Sequence, residues 1–272
     1  MLNSLYFINH FILLPISFGL LAISKNRKIL IFSFLIISLH SFINLFIYLN
    51  ADIEKNFDPI LTNFILGLLF ILISFRVSDK IESFNYLRKV IIFSFGIYFL
   101  IEHLPILRGV VTLIVAFITV LINRFLGFNC YIAGIDYAGY NIFIQTKLNI
   151  IAGNILEVNV PIGNTDINIV LGCSGVREIL ILGFLIKFTS ANFDIKRKTF
   201  FTDFLIIFIA NILRNVIVVY YTGYKNVSFE TTHHIAGSIL IFLALFSVTV
   251  FTLFKIPEIN SHLENILGLK RI

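Results

Sequence analysis

Apolar runs about as long as a bilayer core is thick recur from one end of the chain to the other, and they leave few folds open. They read as Ser4 to Ser24, Ile29 to Leu49, Ile60 to Phe75, Val90 to Leu104, Ser174 to Ser190, Phe200 to Tyr221 and His233 to Phe254. A shorter run, Gly109 to Asn123, ends at Arg124. A globule of 272 residues cannot hide so much apolar surface: 58% of the chain is hydrophobic and 13% charged, against roughly 45–50% and 25% in a soluble domain. The expected fold class is an all-α polytopic membrane protein with about seven or eight transmembrane helices. No basic residue precedes the first run, which reads as a first span and not as a removable signal peptide.

Charge then sets the expected orientation. The formal charge of +6 comes from short Lys and Arg clusters between apolar runs, which is topogenic charge and excludes nucleic acid as a partner. The clusters are Lys25, Arg27 and Lys28; Arg76, Lys80, Arg88 and Lys89; Lys196, Arg197 and Lys198; and Lys255, Lys270 and Arg271. All are expected on the cytoplasmic side, with the amino terminus and the acidic loop Asp52 to Asp58 outside. Three apolar runs separate the second cluster from the third, so one of them should not cross. Gly109 to Asn123, flanked by Arg108 and Arg124, is expected to lie in or re-enter from the outer interface; the alternative is that it spans and one basic loop violates the rule.

This arrangement divides the chain into amino-terminal transmembrane helices, 1–89, and a core, 90–272, that carries an extracytoplasmic segment, 124–172. Between Asn154 and Val170 the segment alternates. Leu156, Val158 and Val160 face Glu157 and Asn159, and Ile167 and Ile169 face Asp166 and Asn168, which is strand periodicity. Pro161, Gly163 and Asn164 between the arms predict a small β-hairpin-like element before Cys173.

Polar groups inside spans are costly and therefore informative. Cys173, in Gly172-Cys173-Ser174-Gly175-Val176-Arg177, is expected at a helix amino terminus, where the dipole and a cation such as Arg177 favour thiolate. The bland reading makes it a small apolar residue beside a packing notch. Arg214 shares a helix face with Asn211 and Asn215, about 10 Å below the outer end of its span, which suggests a hydrated or substrate-lined pocket. His233, followed by His234, opens the last span one turn above Gly237. The charge-based topology puts Cys173, Arg214 and His233 at one depth. A thiol, an imidazole and a guanidinium supply the nucleophile, proton carrier and oxyanion partner that acyl transfer through a thioester requires. Two cysteines, Cys130 and Cys173, exclude a disulfide scaffold or a multi-Cys metal site. His10, His40, His103 and His262 are scattered, so no metal and no cofactor is expected.

At these residues the sequence resembles a known family. Cys173-Ser174-Gly175-Val176-Arg177, Asn211-Ile212-Leu213-Arg214 and His233-His234-Ile235-Ala236-Gly237 are similar to the three signature motifs of the exosortases and archaeosortases, multispanning transpeptidases of bacteria and archaea. The likeness covers roughly residues 90 to 255. It implies Cys173 as nucleophile, Arg214 and His233 as catalytic partners, and Arg177 and Asn211 as supporting residues. The four-residue step to Gly237 favours His233 as the proton carrier, with His234 as the alternative. The implied partners are exported proteins with a carboxy-terminal sorting signal made of a motif, a transmembrane span and a basic tail. The cleaved proteins would pass to a lipid or other surface acceptor, at an active site on the extracytoplasmic side of the plasma or inner membrane.

Two other classes compete. A transporter would bind an anionic solute at Arg214 but would carry paired polar or broken helices in two halves of the chain, and no such internal symmetry is visible. In a noncatalytic membrane scaffold, Cys173 would be dispensable.

Overall fold

In hydrocarbon a backbone N–H or C=O has no water to bond, so a crossing segment must close its own hydrogen bonds as a helix. The computed structural model describes residues 8–23, 26–50, 64–65, 67–68, 71, 81–135, 142–146, 167–225, 227–229 and 231–267, and it is mostly helical. In chain order its elements are α1 (Leu14–Ile23, after a π turn, Asn9–Leu13), α2 (Arg27–Asn50), α3 (Ile81–His103), α4 (Pro105–Phe125), β1 (Cys130–Ile135), β2 (Ile142–Thr146) and β3 (Ile167–Ile169). There follow a 3-10 turn (Leu171–Cys173), α5 (Val176–Lys187), α6 (Phe193–Tyr224), a π-helix (Thr231–Gly237), α7 (Ser238–Lys255) and α8 (Pro257–Leu267). Among the described residues 5 helices are long and apolar enough to cross a membrane: Lys28–Ile47, Glu82–His103, Pro105–Phe125, Phe193–Tyr224 and Thr231–Lys255. The run Ile60 to Phe75 lies mostly outside the described residues.

The residues group into two units, Met1–Gly96 with Glu258–Ile272, and Ile97–Pro257. In the first, Leu21, Phe34, Ile37, Phe84, Ile91 and Ile266 form a buried core. Several of its described polar groups pair internally. Asn9 Nδ2 donates to Asn44 Oδ1 at 2.8 Å, and His262 lies 3.0 Å from Ser83 Oγ and stacks on Tyr86 with ring centroids 4.2 Å apart. His262, solitary in the sequence, is thus built into the packing of α8.

The second unit is organised by α6. Asn192 caps it by accepting from the Asp194 N–H at 2.9 Å, with Asp194 in the positive first turn. Its 32 residues make about 48 Å of helix, longer than a hydrocarbon core of about 30 Å, so both ends reach the interfaces. The 12-residue α5 runs antiparallel to it. Gly175 meets Asn211, Gly183 meets Phe200, and the Lys187 carbonyl accepts from Lys196 at 3.2 Å. The span expected over Ser174 to Ser190 is therefore a helix of about 18 Å, preceded by the 3-10 turn and closed by Lys196, which also bonds the Thr189 carbonyl. Leu182, Ile207 and Val248 join α5, α6 and α7, and Thr252 Oγ1 donates to the buried Asp203 Oδ2 at 2.5 Å.

The helix expected over Gly109 to Asn123 extends over Pro105–Phe125, long and apolar enough to cross. Pro105 opens it, and Gly127, at φ 85, closes it by donating to the Arg124 carbonyl. Arg108 and Arg124 sit within its terminal turns, where long side chains reach out of an apolar layer. Charged residues that look like stops in the sequence are thus accommodated inside the helix.

Three antiparallel strands in the order β1-β2-β3 follow α4. β1 pairs β2 from Cys130 opposite Thr146 to Ile135 opposite Ile142, with a bulge between Ile132 and Gly134. Ile167 and Ile169 of β3 are buried, in keeping with the alternation there. The partner strand of β3 is β2; the arm Leu156 to Val160 and the turn at Pro161, Gly163 and Asn164 lie outside the described residues.

Because α6 outspans a bilayer, its two ends should be accessible from opposite sides. Single cysteines at Asp194 and Lys225, in a background lacking Cys130 and Cys173, are expected to react with a membrane-impermeant maleimide from opposite faces of sealed vesicles. Reaction of both from the same face would rule out α6 as a span.

Candidate active site

One turn of α6 carries Asn211, Arg214 and Asn215, and each reaches a different neighbour. Asn215 Nδ2 donates to the Cys173 carbonyl at 3.0 Å. Arg214 Nη2 lies 2.6 Å from His233 Nε2. Asn211 Nδ2 bonds the Ile207 carbonyl one turn back at 2.9 Å and packs against Gly175. Residues from three chain segments are thereby tied to a single helical turn.

Backbone conformation makes these approaches possible. Gly175, the cap of α5, has φ 74, and a β-carbon there would run into Asn211 Nδ2, so only glycine satisfies both the left-handed turn and the contact. A β-carbon on Gly237 would stand 3.1 Å from both Cγ and Nε of Arg214. His233 and Gly237 therefore touch different parts of one arginine, which gives the four-residue step between them a physical meaning. Both belong to the π-helix that precedes α7, a widened turn that is uncommon and often found at functional sites. Phe229 stacks on the His233 ring, centroids 4.9 Å apart.

Cys173 ends the 3-10 turn and is not part of α5, whose first residue is Val176. It is 7% exposed, packed in a core with Cys130, Ile169, Ala116, Ile212 and Val216. Arg177 turns to Glu178: its Nε and Nη2 both donate to Glu178 Oε1, at 3.0 and 2.8 Å, and the guanidinium stays half exposed. The guanidinium is thereby engaged by its sequence neighbour. The side chain of His234 lies outside the described residues.

The electrostatics of Arg214 are unusual for a residue so far inside a span. Nε is buried and donates to no acceptor among the described residues. A buried N–H without a partner costs about 1–3 kcal/mol, so the site favours any carbonyl or anionic oxygen that reaches it. A guanidinium can only donate, so in this arrangement His233 Nε2 accepts and the ring is neutral, with its proton on Nδ1. Together these groups offer a spare donor, a base-form imidazole and a thiol whose backbone is clamped. In the sequence Asn215 shares a helix face with Arg214, but nothing there signals its bond to Cys173, and the only signal for Phe229 is its i,i+4 relation to His233.

Cys130 is the contrasting thiol. It is 1% exposed, its Sγ points to the Val120 carbonyl at 3.8 Å, and burial pushes it up to about 11 despite the nearby charge of Arg124. Both cysteines are free.

A model of the transmembrane exosortase family matches residues 2–251 of the chain. No curated protein and no solved structure matches it.

Two outcomes follow from this geometry. Cys130 should resist iodoacetamide in the folded protein at pH 8, where a thiol raised to about 11 is almost wholly protonated, and mass spectrometry should find it modified only after unfolding; ready labelling of the native protein would contradict its burial. Gly175→Ala should lower the melting temperature in detergent, because the left-handed backbone alone costs about 1–2 kcal/mol and the new methyl group displaces Asn211. An unchanged melting temperature would mean that the turn tolerates a side chain.

Proposed function

The chain belongs to the transmembrane exosortase family, and from that premise we propose that it is a cysteine transpeptidase acting on exported proteins that carry a carboxy-terminal sorting signal. The observation that supports this most is the α6 turn on which Arg214 meets His233 and Asn215 holds the backbone of Cys173. That turn connects all three motifs, and it leaves one buried guanidinium donor unspent.

In this reading Arg214 moves from His233 Nε2 to the substrate carbonyl oxygen, which frees that nitrogen to take the thiol proton as Cys173 Sγ attacks the scissile carbonyl carbon. The oxyanion of the tetrahedral intermediate is taken by Arg214, whose planar fork addresses an anionic oxygen with more than one N–H. Collapse breaks the C–N bond, and His233 returns the proton to the leaving amine, which gives a thioester on Cys173. An acceptor amine or hydroxyl, from a lipid or another surface molecule, then attacks the thioester carbonyl and releases the thiol. A substrate anchored by its own span arrives at a fixed depth, so part of the entropic cost of alignment is met before it binds. Asn211 and Asn215 are positioning residues, and Arg177, paired with Glu178, is a supporting residue. Cys173 lies about 28 Å along α6 from Lys196, which is consistent with a site on the extracytoplasmic side if the basic cluster is cytoplasmic.

The test is processing of a substrate tail by variants at equal membrane abundance. Cys173→Ala should abolish cleavage while leaving the protein inserted. Arg214→Lys should lose most activity, about 100-fold or more if it behaves as an oxyanion donor. His233→Ala should be more damaging than His234→Ala. Normal processing by Cys173→Ala would end the transpeptidase reading, whereas the opposite histidine order would move the proton carrier to His234.

A further inference from the structure

At the end of α6 remote from Cys173, a groove of about 610 Å³ opens between α5 and the first turns of α6. Its walls are apolar: Ile179, Leu180 and Phe184 on one side and Phe193 and Phe200 on the other. The floor is formed where Phe200 lies on Gly183, so close that a β-carbon there would stand 2.8 Å from the ring. An apolar groove facing a bilayer would ordinarily hold an acyl chain of any lipid. The mouth of this one is not neutral.

Lys187, Lys196 and Arg197 all line it. Lys196 is held by the Lys187 and Thr189 carbonyls, neutral partners that fix its ammonium without cancelling its charge. Lys187 Nζ sits 5.4 Å from the centre of the Phe184 ring, on the groove wall. Arg197 has Asp194 at 3.6 Å, but both side chains are about two-thirds exposed, at 65% and 68%, and such a pair is weak. Three cations against one carboxylate leave a net positive mouth above an apolar slot. A basic pocket between membrane helices is a known way to recognise an anionic headgroup.

We propose that this groove binds an anionic phospholipid, with an acyl chain along Leu180, Gly183 and Phe200 and the phosphate between Lys187 and Arg197. The lipid would lie in the leaflet nearest the Lys196 to Lys198 cluster, too far from Cys173 to serve as acceptor. It would brace α5, which is too short to cross alone and whose far end leads into the 3-10 turn of Cys173. The proposal does not depend on the transpeptidase reading.

The full-length protein, reconstituted in nanodiscs with equal phosphatidylglycerol and phosphatidylcholine of identical chains, is released into mild detergent, and retained lipids are counted by native mass spectrometry. The wild type should retain phosphatidylglycerol over phosphatidylcholine by about tenfold or more, since each interfacial cation contributes about fivefold. Lys187→Gln with Arg197→Gln should abolish most of that preference, whereas Lys187→Arg with Arg197→Lys should keep it. Excess inorganic phosphate should leave the lipid in place. Equal retention of the two lipids by the wild type, an unchanged preference in the glutamine pair, loss of preference in the charge-conserving pair, or displacement by phosphate would each overturn the proposal.

Discussion

The second unit of this protein depends on how a few polar side chains are satisfied inside an apolar helix. In a membrane interior, an amide or guanidinium without a partner has no water to fall back on. Asn211, Arg214 and Asn215 therefore act as attachment points: one closes on its own helix, one takes the Cys173 carbonyl and one takes His233. The desolvation cost that makes such residues rare in spans also makes their contacts obligatory. A Leu at 215 would leave the 3-10 turn without its bond to α6.

Glycine complements this arrangement. Gly175 and Gly237 have no side chain where Asn211 and Arg214 need to lie, so the polar groups approach backbone instead of being held off by a methyl group. The tolerance for error is small, because the neighbours that would meet a new β-carbon are themselves part of the candidate site.

Much of this was legible in the sequence, for identifiable reasons. Asn211 and Arg214 stand out because they interrupt an Ile and Val-rich helix, and Ile167 and Ile169 reveal their buried face by alternation. Lateral contacts were not legible: no periodicity says that Asn215 meets Cys173, or that Arg177 prefers its neighbour Glu178. Helix ends misled for a physical reason. Arg108 and Arg124 look like boundaries in a hydropathy reading, yet a long side chain near a helix end can keep its charge at the interface while its backbone stays helical. β1 and β2 escaped notice because Cys130–Ile135 is nearly all apolar and kinked by a bulge, without the alternation that betrays a half-buried strand.

The π-helix at Thr231–Gly237 changes what counts as a neutral length change in this chain. A π turn closes over one residue more than an α turn, so it shifts the angular phase of everything above it relative to the helix below. The azimuth of His233 is thereby uncoupled from the lipid-facing stripe of α7, and each can be tuned without rotating the other. The corollary concerns indels: removing one residue between Phe229 and Gly237 would let the segment relax to an ordinary α-helix and re-aim the imidazole relative to α7. A single deletion in an otherwise permissive apolar span would then act as a rotation of the imidazole away from Arg214, with the membrane helix itself left intact.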